Sequence, residues 1–87
     1  MQIIYEGRVQ GVGFRYTTKS LARGFEVTGV VRNLDDGRVE LVGEGEREEL
    51  EAFQKAIRDS EVGRFIRQES VTWSSGKNCF RGFEIVR

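Results

Sequence analysis

Nine consecutive residues, Gly7-Arg8-Val9-Gln10-Gly11-Val12-Gly13-Phe14-Arg15, carry the densest chemical signal in the chain. They leave a strand-like run, pass two glycines and reach an arginine at the start of a helix-like run. A turn of this kind converges backbone N–H groups, and the first turn of a helix has four N–H groups without intrahelical partners. Arg15 adds a fixed positive charge whose planar fork of donors suits a pair of phosphate oxygens. The stretch therefore reads as a phosphate-binding loop with one catalytic arginine. It is not a dinucleotide fingerprint, because no glycine stands at position 16, and no Gly-Lys-Ser/Thr follows as in a P-loop. Taken alone, glycines in a strand-to-helix turn can be purely geometric, since Gly tolerates φ > 0.

A second stretch, Gly29-Val30-Val31-Arg32-Asn33-Leu34-Asp35-Asp36-Gly37-Arg38-Val39, ends a strand-like run on Asn33 just before a turn. Asparagine commonly stabilises turns through its own side chain, and by itself Asn33 is better explained that way than as a functional group.

What the chain lacks narrows the chemistry. Histidine is absent and Cys79 is the one cysteine. That removes the commonest general base and metal ligand, argues against zinc and excludes an internal disulfide framework. No metal and no cofactor is expected. A lone thiol points to a reducing cytoplasm, and neither a signal peptide nor an apolar run long enough for a membrane span is visible. The 87 residues carry 14 basic and 14 acidic groups, which argues against broad nucleic-acid or membrane binding. The charges are segregated. Residues 1–34 have five basic groups and two acidic, residues 35–61 four and ten, and residues 62–87 five and two. The phosphate-loop candidate thus lies in a basic segment. At this length one domain, 1–87, is expected, burying about 60–65% of its unfolded surface.

The elements that must position these residues follow from periodicity. Gln2 to Val9 alternates, with Ile3, Tyr5 and Val9 on one side. Phe14 to Arg23 reads as a helix with Phe14, Thr18, Leu21 and Ala22 on one face, and Gly24 as its C-terminal stop. Glu26 to Leu34 is β-rich, Asp35-Asp36-Gly37 signals a hairpin, and Arg38 to Glu44 alternates again. Glu46 to Asp59 is the clearest helix, with Leu50, Phe53 and Ile57 in one stripe and glutamates in its first turn. Phe65 to Trp73 is a strand, Ser74 to Asn78 a polar loop, and Phe80 to Val86 a last strand. Trp73, Phe53, Phe80 and Phe83 read as core. The acidic run Glu44, Glu46, Glu48, Glu49, Glu51 reads as a solvated helix face, and Cys79 as a bystander. The order βαββαβ plus a short terminal strand is the α+β, ferredoxin-like split βαβ sandwich, with two helices on one face of an antiparallel sheet.

Together, the two glycine-bearing stretches resemble the acylphosphatase family over essentially the whole chain. Gly7 to Arg15 resembles the first family motif, and Gly29 to Asn33 with Gly37, Val39 and Gly45 the second. The resemblance implies hydrolysis of the carboxyl–phosphate bond of a small acyl phosphate, with inorganic phosphate as product and inhibitor. It implies that Arg15 and the amides of loop 10–15 hold the phosphate and that Asn33 positions the attacking water. Tyr5 stands where the family usually has an aliphatic residue, and Val30 where an aromatic is usual. Both lie on strands away from the expected chemistry and read as packing changes.

The residue inventory suits that reaction. Phosphoryl transfer is mostly positioning and charge stabilisation. An acyl phosphate releases a carboxylate, which needs no proton to depart, and a substrate oxygen can take the proton of the water. Phosphomonoesters, with alkoxide leaving groups, would call for a metal or an acid. Two alternatives remain in view. One is an acylphosphatase-like module that binds anions without turnover, as occurs within larger proteins. The other is an RNA-binding module of the same topology, since Arg81-Gly82-Phe83-Glu84-Ile85-Val86 is similar to the start of an RNP1 motif. That motif belongs on the third strand, whereas this stretch is last in the chain, so no nucleic-acid partner is expected. Nothing calls for more than a monomer.

Overall fold

The computed structural model describes residues 1–75 and 79–86. The chain runs β1 (Gln2–Gly7), α1 (Phe14–Ala22), β2 (Val27–Asn33), β3 (Val39–Gly45), α2 (Arg47–Asp59), a 3₁₀ turn at Gly63–Phe65, β4 (Ile66–Thr72) and β5 (Phe83–Ile85). The strands form one sheet in the order β4-β1-β3-β2-β5. β1 pairs antiparallel with β3 and β4, and β2 antiparallel with β3. The terminal strand departs from the antiparallel expectation, because β5 pairs parallel to β2 and makes the sheet mixed. The reason is direction. β4 runs opposite to β1, so a chain that leaves β4 and crosses to the far edge re-enters the sheet running the same way as β2.

Both helices cover one sheet face. Phe14, Thr18 and Ala22 of α1 and Leu50, Phe53 and Ile57 of α2 are buried. They meet the inward residues of the strands, Ile3, Tyr5, Val31, Val39 and Leu41, which are fully buried. Alternation puts Ile4, Val30 and Val42 on the opposite, half-exposed face. Two aromatic contacts organise the core. Tyr5 and Phe14 lie 4.9 Å apart between ring centroids, tying β1 to the start of α1, and Phe53 meets Phe83 edge-on at 5.4 Å. Phe83, the aromatic of the RNP1-like stretch, therefore faces the core and offers no stacking surface.

The ends of the elements differ from the periodicity in informative places. β1 stops at Gly7, where its register with β4 shifts, and the Arg8 N–H donates to the Phe65 carbonyl at 3.0 Å. Val9 lies beyond the strand yet stays buried. α1 closes without a left-handed glycine: the N–H groups of Arg23 and Gly24 bond back to Ser20 and Leu21 in a tightened last turn. Trp73 and Phe80 are half-buried and not core, and Trp73 lies under the Arg47 guanidinium at 4.2 Å. Of the acidic run, Glu44 accepts the Cys79 N–H and Glu49 the Glu26 N–H, each at 2.8 Å, so these two fasten loops rather than face solvent alone. Gly76, Lys77 and Asn78 of the expected polar loop lie outside the described residues.

Candidate active site

One end of the sheet gathers the residues singled out by their chemistry. β1 ends at Gly7, β2 ends at Asn33, and α1 begins at Phe14, so the loop between β1 and α1 passes over the tip of the β2–β3 hairpin. Gln10 fastens it there: its side-chain Nε2 donates to the Leu34 carbonyl at 2.8 Å and to the Arg38 carbonyl at 2.9 Å. Those carbonyls flank the hairpin turn, itself closed by Leu34 N–H to Arg38 O at 2.8 Å. At the same tip Arg38 donates its N–H and its Nε to the Asp36 carboxylate, and these bonds lower the Asp36 pKa.

Between the two glycines the backbone turns sharply. Gly11 has φ 79° and Gly13 φ 81°, both left-handed, and a Cβ on either would point into open space. Glycine is required here by the backbone conformation and not by crowding. Alternation of left- and right-handed residues points successive N–H groups to one side, which makes an anion-binding concavity. Gly13 is also the N-terminal cap of α1, with no side-chain cap bond. Its carbonyl accepts the Thr17 N–H at 2.9 Å, the first bond of the helix. Among the described residues, none of the six amides from Gly11 to Tyr16 donates to a protein acceptor.

Five of these six residues, all but Val12, border a cavity of about 120 Å³ lined by Val9, Gly11, Gly13, Phe14, Arg15, Tyr16 and Asn33. Arg15 is half-buried, and among the described residues its guanidinium has no hydrogen-bond or ion-pair partner. The side-chain oxygen of Asn33, Oδ1, is buried without a partner. An orphaned buried acceptor is costly, so it reads as an acceptor held for a bound group. The cavity thus faces N–H donors, one guanidinium and one carbonyl-type acceptor. That set can bind a phosphoryl group and orient one water beside it.

The structure brings Gly11, Gly13, Phe14, Arg15 and Asn33 to the cavity wall. Gln10 and Val12 do not line it: Gln10 straps the loop to the hairpin, and Val12 packs against the core. Phe14, buried against Tyr5, fixes the start of α1 and so the position of its neighbour Arg15. Tyr16 and Val9 line the wall as well, and neither was singled out by the sequence. Their signal was adjacency only, Tyr16 following the arginine and Val9 opening the loop. Two roomier depressions lie elsewhere. One, of about 380 Å³, sits at the other end of the sheet beside Met1, Leu50 and Trp73. The other, of about 580 Å³, lies along Arg8, Arg64 and Arg67. Neither includes Arg15 or Asn33. Among the described residues no cluster of three or more His, Cys, Asp or Glu side chains could hold a metal ion, and no helix is long and apolar enough to cross a membrane.

The acylphosphatase family model matches residues 1–85. The chain is 54% identical over 84 residues to an acylphosphatase of Bacillus licheniformis, covering 97% of this chain and 93% of that one. The crystal structure of acylphosphatase from Bacillus subtilis superposes with a TM-score of 0.88 at 40% identity, covering 99% of this chain and 96% of that one. Full-length HypF in its phosphate- and nucleotide-bound form contains a similar unit, with a TM-score of 0.83 at 33% identity over 99% of this chain but only 11% of HypF. By its motifs, its fold and these relatives, the chain belongs to the acylphosphatase family.

Proposed function

We propose that this enzyme of the acylphosphatase family hydrolyses acyl phosphates by holding the phosphoryl group in the amide cradle and delivering one water to it from Asn33. The observation that carries the reading is the free donor set: among the described residues the six amides from Gly11 to Tyr16 and the Arg15 guanidinium have no protein acceptor, and all of these residues but Val12 line the same 120 Å³ cavity as Asn33, whose buried Oδ1 has no donor. The donors bind the phosphoryl oxygens and stabilise the charge that builds on them in the transition state. Asn33 Oδ1 accepts a hydrogen bond from the water, which aims an oxygen lone pair at phosphorus. The water oxygen bonds to phosphorus, the bond from phosphorus to the acyl oxygen breaks, and the carboxylate leaves with that electron pair. The water proton passes to a phosphoryl oxygen, and inorganic phosphate remains in the cradle as product and inhibitor. No step calls for a general acid, a metal or a cofactor, because the leaving carboxylate is stable without a proton. We read the chain as a monomer acting as a single domain, and one exposed cysteine suits a reducing cytoplasm.

The test is hydrolysis of benzoyl phosphate in the presence of EDTA, beside Arg15→Ala and with p-nitrophenyl phosphate as control. Fast turnover of benzoyl phosphate alone is expected, falling on the order of 10²–10³-fold in Arg15→Ala, the scale of a lost oxyanion donor. Arg15→Lys is expected to be poor as well, since a point charge does not reproduce the fork. Near-normal turnover by Arg15→Ala refutes the role of Arg15. The likeness to a small part of HypF favours one alternative, an anion-binding module. Phosphate binding without turnover in the same assay would select it.

A further inference from the structure

In an in-line displacement the acyl oxygen leaves on the side of phosphorus opposite the attacking water. With the water on Asn33 and the phosphoryl group on the loop amides, the acyl group points away from Asn33 towards the mouth of the cavity. Of the wall residues, Val9 and Phe14 are buried and Gly11 and Gly13 have no side chain to offer. Tyr16 is different. It is 73% exposed, the one exposed large hydrophobic residue among the described residues, and it belongs to the cavity wall. Its place on α1 explains why. At 100° per residue it stands about 200° from Phe14, on the outer side of the first turn, while Phe14 and Thr18 face the core. Helical side chains lean towards the helix N-terminus, so the Tyr16 ring leans to the loop end of α1 rather than along its flank.

We propose that Tyr16 is the platform for the acyl group and that the enzyme favours acyl phosphates with a planar, aromatic acyl group, which stacks on its ring. The inference rests on the phosphate-cradle reading above. Stacking at the rim acts on bound substrate and transition state alike, so its loss appears in KM more than in kcat.

The experiment compares kcat/KM for benzoyl phosphate and acetyl phosphate in the wild-type protein, Tyr16→Ala and Tyr16→Phe. Tyr16→Ala is expected to lower the benzoyl-to-acetyl ratio about tenfold relative to wild type, through KM, the scale of one aromatic pair. Tyr16→Phe is expected to keep the ratio. An unchanged ratio in Tyr16→Ala overturns the proposal, and so does an equal fall for both substrates, which would report a disturbed cradle. Succinyl phosphate provides a third arm. If the wild type prefers it to benzoyl phosphate, and the preference is lost in Arg64→Gln or Arg67→Gln, the acyl group lies in the arginine-lined depression instead. Wild-type protein that hydrolyses none of the three fails the hydrolytic reading itself, and this inference with it.

Discussion

Replacing Tyr5 by Phe is expected to stabilise the protein. The Tyr5 ring is completely buried and packs on Phe14, but its hydroxyl has no hydrogen-bond partner among the described residues. Its cross-strand neighbour Glu69 is engaged elsewhere, accepting from Gln54 at 3.0 Å and from Arg58 at 2.9 Å. An unpaired buried hydroxyl costs about 1–3 kcal/mol. Phenylalanine keeps the ring and leaves a gap of one oxygen, roughly 10 Å³, which at about 24 cal/mol per Å³ costs about 0.2 kcal/mol. The net gain is about 1–3 kcal/mol, and each kcal/mol raises Tm by about 4–8 °C in a domain of this size. A second readout is independent of the first. Burial above all, and then the Glu69 charge, push the Tyr5 phenol up from its ordinary value, against a smaller opposing effect of Arg58. The unfolded phenol titrates near pH 10. Above that pH the unfolded chain gives up a proton that the folded chain keeps, so stability falls by about 1.4 kcal/mol per pH unit from this group. Tyr5→Phe removes that part of the alkaline slope. Urea unfolding from pH 7 to 11 measures both effects, with an unchanged m-value confirming that the midpoint reports stability. A lower midpoint for Tyr5→Phe at pH 7, or an alkaline slope equal to wild type, would mean that the hydroxyl has a partner and the reasoning is wrong. Because Phe14 keeps its packing partner, turnover is expected to survive the substitution.

Two further outcomes test the site. Asn33→Ala is expected to lose on the order of 10²–10³-fold in kcat while inhibition by inorganic phosphate is largely kept, because the water loses its acceptor and the cradle stays. Parallel loss of kcat and phosphate affinity would deny Asn33 that role. Gly13→Ala meets no steric contact but is forced to φ 81°, which costs about 1–2 kcal/mol. A lower Tm with weaker phosphate inhibition is expected, and an unchanged Tm would show that the left-handed turn is dispensable.

Much of the fold was legible because local and tertiary signals agree. The period of α2 places Leu50, Phe53 and Ile57 in one stripe, and all three are buried. The Asp35-Asp36-Gly37 signal closes the β2–β3 hairpin, with Gly37 at φ 94°. What the pattern did not carry is what neighbouring strands decide. β1 looks continuous to Val9 by alternation, yet it ends at Gly7 because the 3₁₀ turn before β4 captures the Arg8 N–H. Trp73 has the hydrophobicity of a core residue but lies just past the end of β4, at the margin of the core, where the guanidinium of Arg47 at the start of α2 covers it. The parallel pairing of β5 follows from the direction in which the chain crosses from one sheet edge to the other, and no local window contains that direction.

The site was legible to a different depth for each residue, and the division is physical. Arg15 and Asn33 stood out because charge and amide chemistry are properties of side chains. Gly11 and Gly13 stood out because a left-handed turn admits few other residues. The cradle itself is made of main-chain N–H groups, and their availability depends on what the rest of the molecule fails to offer them. Only the structure shows that the six amides are without acceptors among the described residues. Gln10 adds something the motif did not show. The resemblance gave it a share in the cradle through its main-chain N–H, and its side chain donates to the carbonyls of Leu34 and Arg38. That bond pair holds the phosphate loop against the hairpin that ends β2 at Asn33, so the donors of one segment and the acceptor of another share a single cavity. A site that relies on a fixed array of weak donors needs such a strap, because preorganised dipoles act on a transition state only if they need not reorganise when it forms.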